Sequence, residues 1–169
     1  MINNLQLQIK GVIAGKPDTS DFKRYSINKN IDEALEGYPF KSGEREPIRI
    51  ETLKDFEYKG NPALTNHIFY NLTRNSLRAI QNAEKGNITI RLETGAKFNK
   101  LIFKDTATSV AKEFLPKIFE LFASQTTTQG GTGVGLAFCK TIMISYGGDI
   151  IYNSIEEEYT GFVLSFPVL

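Results

Sequence analysis

Apolar positions along this chain follow two rhythms, one repeating every three or four residues and one every second residue, and the rhythms alternate from end to end. Ile2, Leu5, Ile9, Val12 and Ile13 are spaced close to one helical face. Leu5, Leu7 and Ile9 also alternate as a strand would, so residues 1–14 fit either element. Gly15-Lys16-Pro17-Asp18-Thr19-Ser20 is dense in breakers and reads as a linker. Residues 31–35 predict a short helix capped by Asn28 or Asn30 and ended by Gly37 and Pro39. Strand patterns recur at 48–51, 88–92, 101–104, 150–152 and 162–166, with helical patterns at 64–83 and 136–145. Strands and helices are interleaved, and several strands are close enough in sequence to pair as hairpins. The pattern predicts an α/β fold, a two-layer sandwich of a mixed sheet with helices on one face.

Composition narrows this little. A chain of 169 residues, 41% hydrophobic and 23% charged, is ordinary for one globular domain with its own core. A net charge of +1 without basic runs gives no case for nucleic acid as a partner. The lysines of residues 97–104 read as a solvated loop and strand edge. A single cysteine, Cys139, leaves no internal disulfide to form. No signal peptide and no apolar run of membrane-spanning length is visible in the sequence.

The helical segment 64–83 has two faces. Ile68, Phe69, Leu72, Ser76, Ala79, Ile80 and Ala83 fall on one arc, the expected core face. His67, Asn71, Asn75, Arg78 and Asn82 fall on a second arc of about 80°. That second face is polar yet hardly charged, made of groups that both donate and accept hydrogen bonds. It fits a flank facing water, or the wall of a polar pocket where an asparagine oxygen ligates Mg²⁺ and Arg78 meets a phosphate.

Downstream, Phe103-Lys104-Asp105-Thr106 has the form of an apolar strand ending in a carboxylate. Such an Asp is a turn or cap residue, or the acceptor that reads an adenine amino group at a pocket floor. Phe114, Phe119 and Phe122 cluster ahead of residues 123–129, a polar stretch with the composition of a lid. That stretch ends at Gly130-Gly131-Thr132-Gly133-Val134-Gly135-Leu136, a glycine-rich turn that runs into a helix. Glycines let a ligand approach the backbone, and the helix start presents unpaired N–H groups suited to phosphate.

In this order the features resemble the catalytic and ATP-binding domain of sensor histidine kinases, within the ATPase superfamily shared with gyrase, the Hsp90 chaperones and MutL. His67-x-x-x-Asn71-Leu72-x-x-Asn75 resembles the N box, Asp105-Thr106 the start of the G1 box, and Phe119 and Phe122 the F box. Residues 131–136 resemble the G2 box, and Thr160-Gly161-Phe162 sits where the family carries a threonine in its final hairpin. The resemblance spans residues 27–169 and implies the Bergerat ATP-binding fold, with a mostly antiparallel sheet. Residues 25–27, 38–45, 55–60 and 135–140 are further similar to hybrid quorum-sensing kinases that respond to α-hydroxyketone autoinducers.

The resemblance implies that Asn75 ligates Mg²⁺ bridging the ATP phosphates and that Asn71 supports the γ-phosphate side. Asp105 then accepts from the adenine amino group, aided by Thr160 through a water. Gly131, Thr132, Gly133, Gly135 and Leu136 bring the glycine turn to the phosphates, and Arg78 adds charge. Hydrolytic superfamily members carry a glutamate at the place of Asn71, so the amide points to phosphoryl transfer. It also implies that residues 1–20 end a dimerisation and phosphoacceptor helix and its linker, that residues 21–169 form the catalytic domain, and that a receiver domain acts downstream. The full-length protein is then expected to be a homodimer anchored in the bacterial inner membrane, with this domain in the cytoplasm. Two departures stand out. The G1 box reads Asp105-Thr106-Ala107-Thr108-Ser109 where two glycines are usual, which predicts a crowded adenine site and weaker ATP binding. The chain also holds one histidine, His67, inside the N box, so the phosphoacceptor must lie elsewhere.

Overall fold

The computed structural model describes residues 4–51, 54–107, 112–120, 135–155 and 159–169, and of residues 112, 114, 115, 154, 155, 159 and 160 the backbone alone. In chain order the elements are α1 (Asn4–Ile13), β1 (Lys23–Ser26), α2 (Ile27–Gly37), β2 (Ile48–Glu51), β3 (Glu57–Gly60) and α3 (Pro62–Ala83), followed by β4 (Ile88–Glu93), β5 (Phe98–Asp105), a 3-10 turn (Lys112–Lys117), α4 (Gly135–Ser145), β6 (Asp149–Ile155) and β7 (Tyr159–Pro167). Five strands make the main sheet in the order β2-β4-β5-β7-β6. β2 lies parallel to β4 and the other neighbours are antiparallel, which is the mixed, mostly antiparallel sheet that the sequence predicts.

One sheet face carries Ile88, Ile90, Leu92, Leu101, Phe103, Phe162, Leu164 and Phe166, all buried in a single core with Ile31, Ile68, Leu72, Phe138 and Ile142 from the helices. The other face is open, with Lys100 and Glu93 exposed and Ile102 half-buried. The expectation for residues 97–104 is corrected here. β5 is the central strand, and Lys100 and Lys104 leave it on the open face while Asn99, Leu101, Phe103 and Asp105 point inward.

Other elements extend or shift the predicted ones. α2 begins at Ile27 because Ser26 caps it, its Oγ accepting from the Lys29 N–H at 3.1 Å. Asp55, distant in sequence, accepts from the Asn28 N–H at 3.0 Å. Asn30, expected as a cap, is instead fully buried inside α2 and ties it to α3, donating to Pro62 O at 3.1 Å and to Asn66 Oδ1 at 2.7 Å. β1 and β3 pair antiparallel as a two-stranded ribbon that the apolar rhythm does not announce. α1 is a helix, which excludes the strand alternative. It packs on α3 and α4 with Val12 in the core and Leu5 and Ile9 against it, and Gln8 Nε2 donates to Asp21 Oδ2 at 2.9 Å.

α3 starts two residues earlier than its apolar pattern, with Asn61 as N-cap accepting from Ala63 N at 2.9 Å and proline in the first turn, where its missing N–H costs nothing. Its buried face is Leu64, Thr65, Ile68, Phe69, Leu72, Thr73, Ser76 and Leu77. Ala79, Ile80 and Ala83, expected in the core, are only partly covered, with Ile80 packed against its edge.

The beginning of α3 is held by a buried polar chain. The Tyr58 hydroxyl donates to Asn30 Oδ1 and lies 2.9 Å from Thr65 Oγ1, which lies 2.9 Å from the Tyr146 hydroxyl. Tyr146 donates to Asn61 O at 2.9 Å and accepts from Asn61 N at 3.2 Å. Gly60 leaves room for this ring, since a Cβ there would stand 2.6 Å from Tyr146 Cζ. Tyr146→Phe strips a buried backbone N–H of its acceptor, and we expect a loss of roughly 1–3 kcal/mol. Urea unfolding checks this; an unchanged midpoint would show that the hydroxyl carries no stability.

Candidate functional site

α3 meets the start of α4 at Asn71, on its polar flank, and the end of β5 at Ser76, on its buried face. Asp105 closes β5 at 3% exposure, with Oδ2 accepting from Ser76 Oγ at 2.8 Å and Oδ1 from the Ala107 N–H at 3.2 Å. Burial pushes its pKa up to about 6, and the bonds from Ser76 and Ala107 oppose that rise. Each oxygen keeps a lone pair for a further donor. Thr160 stands opposite Asp105 in the β5–β7 ladder.

Ala107, one of the two departures from the G1 pattern, is buried against Gly86. Gly86 has φ +123°, and a Cβ on it would lie 2.9 Å from Ala107 N and 3.1 Å from Ala107 Cβ. Gly86 thus makes room for the Ala107 backbone itself, in a conformation that L side chains rarely adopt. Ser109, the second departure, lies outside the described residues.

Asn71 is held at both ends of its carboxamide. Nδ2 donates to His67 O at 2.9 Å, and Oδ1 accepts from Arg74 Nη2 at 2.9 Å. The same oxygen lies against the first residue of α4, where a Cβ on Gly135 would stand only 2.5 Å away. Asn75, one turn on and half-buried, makes no side-chain hydrogen bond among the described residues. Arg78 is half-buried, and its charge and that of Arg74 both act on the Tyr38 hydroxyl at the end of α2. Burial dominates at Tyr38 and raises its pKa. His67 is wedged edge-on between Tyr70 at 5.9 Å and Phe138 at 6.1 Å, and burial lowers its pKa, which keeps the imidazole neutral at neutral pH.

Leu136 packs on the core beside Gly135. Phe119 stands edge-on to Phe162 at 6.3 Å, with Lys140 Nζ 5.2 Å from its ring centre. Lys140 is in turn bonded to Asp149 at 2.5 Å. Gly131, Thr132, Gly133, Phe122 and the polar stretch 123–129 lie outside the described residues. Of the expected site residues, Asn71 and Gly135 meet where α3 and α4 come together, with Leu136 beside them; Asn75 and Arg78 follow Asn71 along α3, and Asp105 is tied to the same helix through Ser76. Sequence reasoning missed three participants. Ser76 was read as core filling, Gly86 was not considered, and Arg74 sits on the wheel only about 60° from Asn71, just beside the polar arc.

Among the described residues no three His, Cys, Asp or Glu side chains gather as a metal site. A hard cation at this wall would take the Asn75 carboxamide as its protein ligand and draw its remaining oxygens from water and an anionic ligand. The Asn75 carboxamide, the buried acceptor at Asp105 and the side-chain-free approach at Gly135 fit a magnesium-bound adenine nucleotide.

Residues 60–169 match the family profile described as "Histidine kinase-, DNA gyrase B-, and HSP90-like ATPase". The chain is 33% identical to the autoinducer 1 sensor kinase/phosphatase LuxN of Vibrio harveyi, over 98% of this chain and 19% of LuxN. It is 27% identical to the CAI-1 autoinducer sensor kinase/phosphatase CqsS of Vibrio cholerae, over 98% of this chain and 24% of CqsS. The chain thus spans about a fifth to a quarter of the length of these relatives. Among solved structures, the catalytic domain of histidine kinase ThkA superposes with a TM-score of 0.73 at 25% identity, covering 87% of this chain and 95% of that one.

Two outcomes follow from the geometry. Asp105 in the folded chain holds its proton up to about pH 6, above the ordinary 3.8, so the folded state binds more protons in that window and stability falls as pH rises through it. Asp105→Asn should therefore be more stable than the wild type by roughly 1–2 kcal/mol at neutral pH, with the advantage fading as pH falls toward 4. Denaturant unfolding across pH reads this, and a difference independent of pH would refute the buried-carboxylate account. Gly86→Ala should cost roughly 1–3 kcal/mol, and adding Ala107→Gly should recover little of it, because the new Cβ still meets the backbone N and Cα of residue 107 and the φ strain stays. Full recovery in the double variant would mean that neither the backbone contact nor φ at Gly86 carries the cost.

Proposed function

Because the chain belongs to the histidine kinase-, DNA gyrase B- and HSP90-like ATPase family, we propose that it is the catalytic domain of a two-component sensor histidine kinase, moving the γ-phosphate of ATP to a histidine outside these 169 residues. One observation carries the reading. The Asn71 carboxamide, pinned between His67 O and Arg74, cannot take a proton from water. A site built this way positions and neutralises phosphates and leaves the nucleophile to come from a partner. The chain's one histidine is half-buried between aromatic rings and ill placed to be that nucleophile.

In this reading Asp105 accepts from the adenine amino group with Thr160 assisting through a water, and Asn75 holds Mg²⁺. The ion, when bound, neutralises charge on the phosphates. Gly131, Thr132, Gly133, Gly135 and Leu136 shape the turn beneath the phosphates, and Arg78 adds positive charge. Residues 1–20 are the end of the phosphoacceptor helix with its linker, and residues 21–169 the catalytic domain. The intact protein is a membrane-anchored homodimer of the hybrid quorum-sensing type, with this domain on the cytoplasmic side and a receiver domain as its downstream partner. No helix among the described residues is long and apolar enough to cross a membrane. A catalytically weak regulatory module of the same fold is the second reading. The altered G1 box favours it.

Incubating the chain with labelled Mg-ATP and a histidine-bearing phosphoacceptor domain should label histidine, and Asn75→Ala should lower the rate at least about a hundredfold. Bound ATP with no labelled histidine would support the regulatory module, and steady phosphate release without acceptor would support a hydrolase.

A further inference from the structure

We propose that Arg74 is a further nucleotide-binding residue, whose guanidinium meets the terminal phosphate of ATP. The proposal rests on the ATP reading above and adds a residue to it. Ser76, bonded to Asp105, marks the adenine end of the site on α3. Asn71 lies five residues nearer the start of the helix, about 7.5 Å along its axis. Long helical side chains lean toward the N-terminus, and Arg74 does so, placing Nη2 2.9 Å from Asn71 Oδ1. Its charge therefore stands at the end of the site away from the adenine, where the terminal phosphate would lie.

The local electrostatics ask for an anion at that place. Asn71 Oδ1 abuts Gly135, the first residue of the 11-residue helix α4, so the guanidinium sits beside the positive end of a helix dipole. The ion pairs among the described residues are Arg91–Glu93 and Lys140–Asp149, and neither involves Arg74. Arg74 is exposed, and among the described residues one of its five N–H donors is committed, to Asn71. The forked guanidinium suits a phosphate, which takes two parallel bonds from it.

This divides labour along α3. With its oxygen on a cation, Asn71 is a poor metal ligand, whereas Asn75, whose side chain makes no hydrogen bond among the described residues, is a good one. Arg74 then supplies charge to the phosphate that Asn75's ion does not fully neutralise.

Calorimetric titration of the chain with Mg-ATP, Mg-ADP and adenosine tests this, using Arg74→Met to keep the apolar stem and Arg74→Lys to keep the charge. Arg74→Met should weaken ATP about tenfold or more while ADP and adenosine stay within about threefold, and Arg74→Lys should recover part of the loss. The same measurement in an Asn71→Ala background separates direct contact from action through Asn71. If the ATP-selective loss persists there, Arg74 touches the phosphate; if it vanishes, or if ATP and ADP weaken equally, the proposal is overturned. Wild-type binding with an unchanged Arg74→Met variant overturns Arg74 alone, whereas a wild type that binds no nucleotide overturns the ATP reading with it. Should Arg74→Met fail to fold, the ATP-over-ADP loss in Arg74→Lys decides the matter.

Discussion

Asn71 and Gly135 meet with no Cβ between them, and the rest of the site depends on that approach. Any side chain at the first position of α4 would drive into the Asn71 carboxamide, so the polar wall and the start of the helix behind the glycine turn could not share one pocket. The far ends of the two helices are fastened as well. Tyr146, just past α4, bonds Asn61 and Thr65 at the beginning of α3. With its start at Asn71 and its end at Asn61, α4 runs antiparallel to the first half of α3. Ser76 adds the tie from α3 to the sheet through Asp105. One helix is thus fixed at its start, in its first half and near its middle, and the amide face between those points has little freedom to turn away from the pocket.

Asp105 shows the opposing demand. A carboxylate that reads an amino group must be ionised and shielded from water, yet shielding is what raises its pKa. Hydrogen bonds from Ser76 and the Ala107 N–H offset part of that cost without using up the acceptor capacity of either oxygen. The carboxyl is left ionised at neutral pH at some expense of stability, as expected of a group kept for binding.

Elements with a regular apolar rhythm were legible in the sequence. β4, β5, β7 and α3 show it by period and α4 by a nearly continuous apolar run, so the layer order and the α/β sandwich followed. β1 and β3 were not legible, because Lys-Arg-Tyr-Ser and Glu-Tyr-Lys-Gly are short and mostly polar and are strands only because they pair with each other. The start of α2 depends on Ser26 and on Asp55 arriving from another part of the chain, which no local pattern encodes. At the site, Asn71, Asn75 and Asp105 stood out by residue type and spacing. Ser76, Gly86 and Arg74 did not, since each matters through a neighbour: a carboxylate on another strand, an alanine packed on a positive-φ glycine, and a carboxamide one turn away.

Hydrogen–deuterium exchange of the chain with and without Mg-ATP tests the central claim most directly. The account predicts slowed exchange at residues 71–78 of α3, at 105–107 and at the start of α4, with the open sheet face around Lys100 and Arg91 unchanged. Protection confined to the open face, or none at saturating nucleotide, would contradict the placement of the nucleotide between α3, α4 and the end of β5.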